Sequence, residues 1–492
     1  MIKKVFCLLA TVLVLSSFSY IFAQNSENDL RYRKWRVTVI PPISTNGVAT
    51  SNYSAKYSIN FLGGYHGALD GYEVGALFNY NKFYSYGFQL VGGLNVTNGE
   101  MAGFNIAGLA NYSEENMSGI QLSGISNISN DMLEGVQLAG VFNFSVRGSS
   151  GMQFAGFANV SKRSIEGIQV GGLFNYTESN IAGLQVAGLF NYAGDDVEGL
   201  QAAMGFNFSG DNISGLQAAG VGNIAKGNIE GLLASGFINF AREDASGLLV
   251  SGGFNIGRNI EGLTSAGIGN FALSMEGFQL GGINYARRAV GLQIGILNIA
   301  KEFEGAPVGL LSIYGNGRKN FDARFSDGGF TELGITTGTY RVYNSFLVGY
   351  NTLLDREVYR IGLAVGLEKN IQDSFENIES STLFVNQEFS FHHVFEEKWT
   401  NRKNRILTYK YMLGNRFGNG FSVYGGPSIN MQVTRVDDAN DYTWYSIWSP
   451  TRKGKQYRFW VGFNVGVRLF HQKNLPLISD NFDNDWGWGR DW

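Results

Sequence analysis

The stretch Gly183-Leu-Gln-Val-Ala-Gly-Leu-Phe-Asn-Tyr192, followed by Ala-Gly-Asp-Asp-Val-Glu198, is one unit of a sixteen-residue repeat. Gly recurs every 16 residues from Gly71 through Gly87, Gly103 and Gly119 to Gly247. It continues at Gly262, Gly277, Gly291 and Gly305, where the spacing shrinks to 15 and then 14. Such a fixed period is the signature of a repeat architecture, in which each unit buries its apolar side only against its neighbours.

Each column of the unit has a physical sense. The residue after Gly is apolar, and the next is usually Gln: Gln121, Gln137, Gln153, Gln169, Gln185, Gln201 and Gln217. A second Gly follows, as at Gly172 and Gly188, where a side chain would obstruct a bend or a close neighbour. Eight residues after most of the first glycines stands an Asn, including Asn143, Asn159, Asn175, Asn191, Asn207 and Asn223. Charge concentrates in the following segment, as in Asp195-Asp196. The unit therefore reads as about ten residues of strand and about six of turn. Helix is disfavoured on cost, since each interior Gly opposes it by roughly 1 kcal/mol.

Two architectures use such a unit. In a parallel β-solenoid each unit is one coil, equal positions stack, and the Gln and Asn columns form side-chain amide ladders. In one large antiparallel transmembrane β-barrel each unit is one strand, and ten residues span about 33 Å. Membrane barrels alternate short turns with long loops, so their period is two strands, whereas here every turn is alike. The parallel solenoid is favoured on that ground, with the large barrel as the alternative.

The flanks differ. Residues 24–63 carry N-terminal strand candidates at 35–40 and 54–62, ahead of the repeat region 64–317. Across 318–470 the pattern becomes two-sided alternation, with candidates at 338–350, 381–395 and 403–413. In the last run Tyr457, Phe459, Val461, Phe463, Val465, Val467 and Leu469 share one face, and Arg458, Trp460, Asn464 and Arg468 the other. Thirteen residues of alternation suit a lipid-facing strand, so an antiparallel meander of outer-membrane barrel type is expected. Strands before and after the array could also close one barrel together. Residues 471–492 form an acidic Trp-rich tail, and residues 1–23 read as a signal peptide, with Lys3 and Lys4 before the apolar Val5 to Leu15. Cys7, the one cysteine, lies inside that leader, so the mature chain is expected to lack disulfides and thiolate metal sites.

The units Gly183–Asn191 and Gly291-Leu-Gln-Ile-Gly-Ile-Leu-Asn298 resemble the bacterial surface-repeat family built on tandem G-[LV]-Q-[IV]-G-x-x-N units. The resemblance covers about residues 64–315, and it implies an envelope location rather than a chemistry.

Composition limits the function classes. The 492 residues include 67 Gly, only 6 Pro and 16 % charged residues at net charge −3, which argues against disorder and against a nucleic-acid partner. The four histidines do not cluster, and His392 and His393 point to opposite faces of a strand, so no metal site is expected. No P-loop, HExxH or GxSxG motif occurs. An envelope enzyme would need charged clusters across adjacent coils, where the columns carry Gln, Ala and Asn instead. The expectation is an exported structural or adhesion repeat protein of the outer membrane or cell surface, without catalysis or cofactor and with membrane lipid as partner. The alternative is a pore formed by a large barrel.

Overall fold

The computed structural model describes residues 30–371, 382–396, 404–418, 420–435 and 442–471. The expected signal peptide and residues 472–492 of the expected tail lie outside them. Strand makes up 77 % of the structure and no α-helix occurs among the described residues, which settles the all-β class. The chain forms a parallel β-solenoid of about 13 turns and a separate eight-strand antiparallel barrel. By compactness it divides into Met1–Phe208 and Ser209–Trp492, and each unit is described by itself.

In Met1–Phe208 every coil pairs with the next in parallel and in register, for example Ile165↔Ile181 with Gln169↔Gln185, and Asn175↔Asn191. A coil consists of a long strand such as Ile181–Ala187 and a short one such as Phe190–Ala193. The ten-residue strand expected from the sequence is thus broken at Gly188-Leu189, because the coil must turn a corner to return over itself. Ile181, Gln185, Ala187, Asn191 and Ala193 point inward and are buried. Gly183 sits at φ +136°, and a Cβ there would lie 2.1 Å from the Gly167 carbonyl oxygen. Both facts exclude any other residue, which explains the invariant column.

The N-terminal strands join this sheet. Arg31–Ile40 pairs in parallel with Tyr53–Asn60, which pairs in parallel with Gly63–Gly75. The expectation that they might close a barrel with the C-terminal strands is therefore corrected: their backbone partners are neighbouring coils. The short antiparallel strand Ile43–Ser44 pairs with the end of Arg31–Ile40.

In Ser209–Trp492 the coils tighten as the period falls, and strand pairing continues without a gap from Phe254 to Tyr314, through the coil corners. The barrel follows as β1 (Arg318–Ser326), β2 (Phe330–Gly338), β3 (Val342–Asn351), β4 (Val358–Asn370), β5 (Leu383–Glu396), β6 (Asn404–Phe417), β7 (Phe421–Thr434) and β8 (Lys455–Leu469). Neighbours are antiparallel, and β1 closes on β8 through Phe321↔Leu469 and Phe325↔Val465. The candidate strand 338–350 begins at Val342 instead, because 339–341 is the turn from β2. One barrel of two dozen strands is thereby replaced by a coil stack and a small closed barrel.

Candidate functional site

The Asn ladder runs inside the coils. Asn143 donates through Nδ2 to Asn159 Oδ1 at 2.9 Å, Asn159 to Asn175 at 2.8 Å, Asn175 to Asn191 at 2.9 Å and Asn191 to Asn207 at 2.9 Å. The second Nδ2 hydrogen reaches a backbone carbonyl of the next coil, as from Asn175 to Val186 at 2.7 Å. In the other unit Asn223 donates to Asn239 at 2.9 Å.

The Gln ladder runs the opposite way. Gln153 donates back to Gln137 at 2.9 Å, Gln169 to Gln153 at 2.7 Å, Gln185 to Gln169 at 2.7 Å and Gln201 to Gln185 at 2.9 Å. Gln217 is equally buried, and its column then passes through Leu233 and Leu249, which carry no amide. All twelve ladder residues singled out from the sequence are fully buried, so they hold coils together and meet no ligand.

The structure adds a cap that the sequence reading missed. Glu73 stands two residues after Gly71, in the Gln column, and its Oε2 accepts from Gln89 Nε2 and Asn81 Nδ2, each at 2.9 Å. Its Oε1 accepts from Ser58 and Asn60 at 3.0 Å and meets Arg36 Nη2 at 3.3 Å. His66 lies beside it, with Nε2 3.5 Å from Glu73 Oε1 and 3.0 Å from Asn60 Oδ1. Burial, reinforced by the Arg36 charge, lowers the His66 pKa to about 3. Burial likewise lowers Arg36 to about 10 against the opposing pull of Glu73. For Glu73, burial is outweighed by its cationic and hydrogen-bond donors, which hold it below the usual carboxylate range. The cluster ends the ladder with a carboxylate and a guanidinium; the signal for it was the break in the Gln column.

The barrel interior combines an ionic network with two apolar clusters, one of Phe330, Val358, Val394, Ile406, Tyr442 and Trp460 and one of Phe384, Met412 and Tyr424. Glu388 takes Arg324 at 2.7 Å and Lys410 at 3.0 Å. Glu368 takes Arg416 at 2.6 Å and Arg318 and Arg468 at 2.9 Å each. Asp322 takes Arg468 at 2.8 Å, and Glu332 takes Arg360 at 2.7 Å and His392 at 2.9 Å. The space among Asp327, Arg360, His392, Lys410 and Trp460 measures about 10 Å³, room for about one water.

The outward positions are the reverse. Leu333, Ile335, Val348, Leu363, Val365, Leu413, Val461 and Val465 are exposed, alternating along their strands with the buried ionic residues. At the rim opposite residues 339–341, Tyr350, Tyr359 and Phe395 form a row across β3, β4 and β5, with ring centroids 5.2 and 5.7 Å apart. His392 lies inside this barrel and His393 outside it, on opposite faces of β5.

No family model, curated protein or solved structure matches this chain. The site reading therefore rests on the geometry alone, and that geometry contains a structural ladder, its cap and a filled inverted barrel.

Proposed function

We propose that this protein is a structural repeat protein of the outer membrane, anchored by the eight-strand barrel that follows its coils. The observation that carries the reading is the inversion of the barrel. A soluble barrel of this size would bury its aliphatic residues, whereas here most buried wall positions are polar or charged and most Leu, Ile and Val face out, Leu347, Val358, Val394 and Ile406 being the buried exceptions. Aqueous solvent would penalise that exterior, and hydrocarbon would favour it. The repeat resemblance to envelope proteins supports the same location.

The pore reading finds less support, because paired side chains fill the lumen of the eight strands. Connection lengths bear on the side of the membrane. The chain enters β1 and leaves β8 at one rim, where the strand ends are joined by 3, 12 and 3 residues (339–341, 371–382 and 418–420). The longest connection, 435–454, lies at the other rim. Outer-membrane barrels keep short turns in the periplasm and long loops outside, which favours a periplasmic side for the coils of Ser209–Trp492.

The test uses the full chain refolded into lipid vesicles. Unheated protein should migrate differently from boiled protein in detergent gels, and vesicles should show no sugar-driven swelling. Identical migration would remove the anchor reading, and swelling would restore the pore. In cells, Ser449→Cys should react with an impermeant maleimide, while Glu230→Cys should react only after permeabilisation. The reverse pattern would place the solenoid outside and favour adhesion.

A further inference from the structure

The last coil ends against the outside of the barrel wall. Ser312 N–H donates to Thr337 Oγ1 at 3.0 Å, and Gly309 N–H donates to Asn344 Oδ1 at 3.1 Å. Asn344 Nδ2 returns hydrogen bonds to the Pro307 carbonyl at 3.1 Å and Ser312 Oγ at 2.9 Å. Asn298 in turn donates to Ser312 Oγ at 3.2 Å, so the Asn ladder terminates on the barrel.

Thr337 and Asn344 occupy outward positions: Thr336 on β2 and Tyr343 and Ser345 on β3 point into the ionic interior. Backbone N–H groups at a sheet edge point along the direction in which strands are added. The coils therefore stack away from the wall sideways, and their axis runs near the membrane plane if the barrel spans the bilayer.

The rotation of the coil is fixed as well. The Gly305 carbonyl accepts from Thr339 Oγ1 at 3.3 Å, at the rim turn, while Pro307, Gly309 and Ser312 meet the 337/344 pair one pleat deeper. The corner ahead of the ladder Asn thus points toward the exposed aliphatic band of the wall. The charged turn containing Lys301 and Glu304, just before Gly305, points away from it.

That corner is apolar, with glycine in alternate coils: its column reads Phe237, Gly253, Ile268, Gly282 and Ile296. Phe237, Ile268 and Ile296 are exposed there, Ile296 by 66 %, with Ile283 beside Gly282 and with Leu280 and Ile294 on the preceding strand. The opposite turns present Glu261, Glu276 and Glu304, with Leu273 as an exposed apolar residue among them. One apolar edge and one charged edge, at the height of a lipid-facing wall, is the pattern of an interfacial amphipathic element, here built from coils instead of a helix.

We propose that the coils of Ser209–Trp492 lie along the membrane surface, with their aliphatic corner seated in the boundary between lipid headgroups and acyl chains. The occupant of the corner is lipid. This rests on the membrane reading of the barrel, and the test separates the two.

The one native cysteine lies in the expected leader, so single-cysteine labelling is clean. A bimane label is placed at Ile268→Cys, Ile296→Cys, Glu276→Cys or the wall position Leu363→Cys, in the full chain reconstituted in vesicles. The vesicles contain phosphatidylcholine brominated on its acyl chains, and circular dichroism checks that each variant is folded. Labels at 268, 296 and 363 should lose roughly half their emission relative to unbrominated vesicles, and the label at 276 should keep its own. Quenching at 363 but not at 268 or 296 would overturn the inference and leave the barrel reading standing. Absence of quenching at 363 would remove the barrel reading itself. Equal quenching at 276 and 296 would overturn the orientation.

Discussion

At the scale of single residues, two glycines and two amides make the coil. Gly183 is required twice over, by its positive φ and by the Gly167 carbonyl against which it stacks. Gly183→Ala is expected to destabilise its coil by about 2–4 kcal/mol, since strain and a backbone clash act together. Leu189→Ala, at an exposed corner, should stay within about 0.5 kcal/mol. Hydrogen exchange of the Ile181–Ala187 amides measures both, and a Gly183→Ala variant as protected as the parent would remove the close-stacking account. The ladder positions were legible because period and residue type coincide in the sequence, from Gln137 to Gln217 and from Asn143 to Asn223. Their hydrogen-bond directions were not. An amide column can donate either way, and only the backbone carbonyl offered by the next coil, such as Val186 to Asn175, selects one.

At the scale of elements, the first strands form a cap whose stability depends on pH. The unfolded chain binds a proton at His66 near pH 6.5, while the folded cap resists until about 3. Between those values the unfolded state carries more protons, so stability falls as pH falls. At pH 4.5 the loss from His66 alone is about 3 kcal/mol. Glu73, held below the usual carboxylate range, adds a further loss below about pH 4.5, where the unfolded carboxylate protonates first. Exchange protection of Tyr53–Asn60 and Gly63–Gly75 should therefore drop between pH 7 and 4.5, and His66→Gln should flatten most of that drop. Equal protection at both pH values would sink the account. Sequence alternation located the strands of this region but not their partners. The pairing is parallel because each segment continues the coil stack, which local periodicity cannot express. The same limit applies to the corner at Gly188-Leu189, where an apolar run looks continuous although the backbone turns.

At the scale of the whole molecule, one sequence builds two kinds of interior. The coils bury neutral amides that satisfy one another, and the barrel buries ions that do so. The barrel was legible as alternation, since Arg458 and Arg468 already stood opposite Val461 and Val465. Its strand number and its ion pairing were not, because they depend on which strand closes on which, as β1 does on β8. The interior pairs make a specific demand. Glu388 is shared by Arg324 and Lys410 and also accepts from the Tyr343 hydroxyl at 3.2 Å. Removing that carboxylate leaves two cations facing each other with only Asp322, 3.5 Å from Arg324, as a countercharge, whereas removing one cation leaves the other still paired. Glu388→Leu should therefore lower barrel stability by about 3–5 kcal/mol, and Lys410→Met by much less, since Arg324 keeps the carboxylate occupied. Urea titration of the gel-mobility shift of vesicle-embedded protein reads the difference. Comparable losses in the two variants would mean that burial, and not the shared charge, holds the wall together.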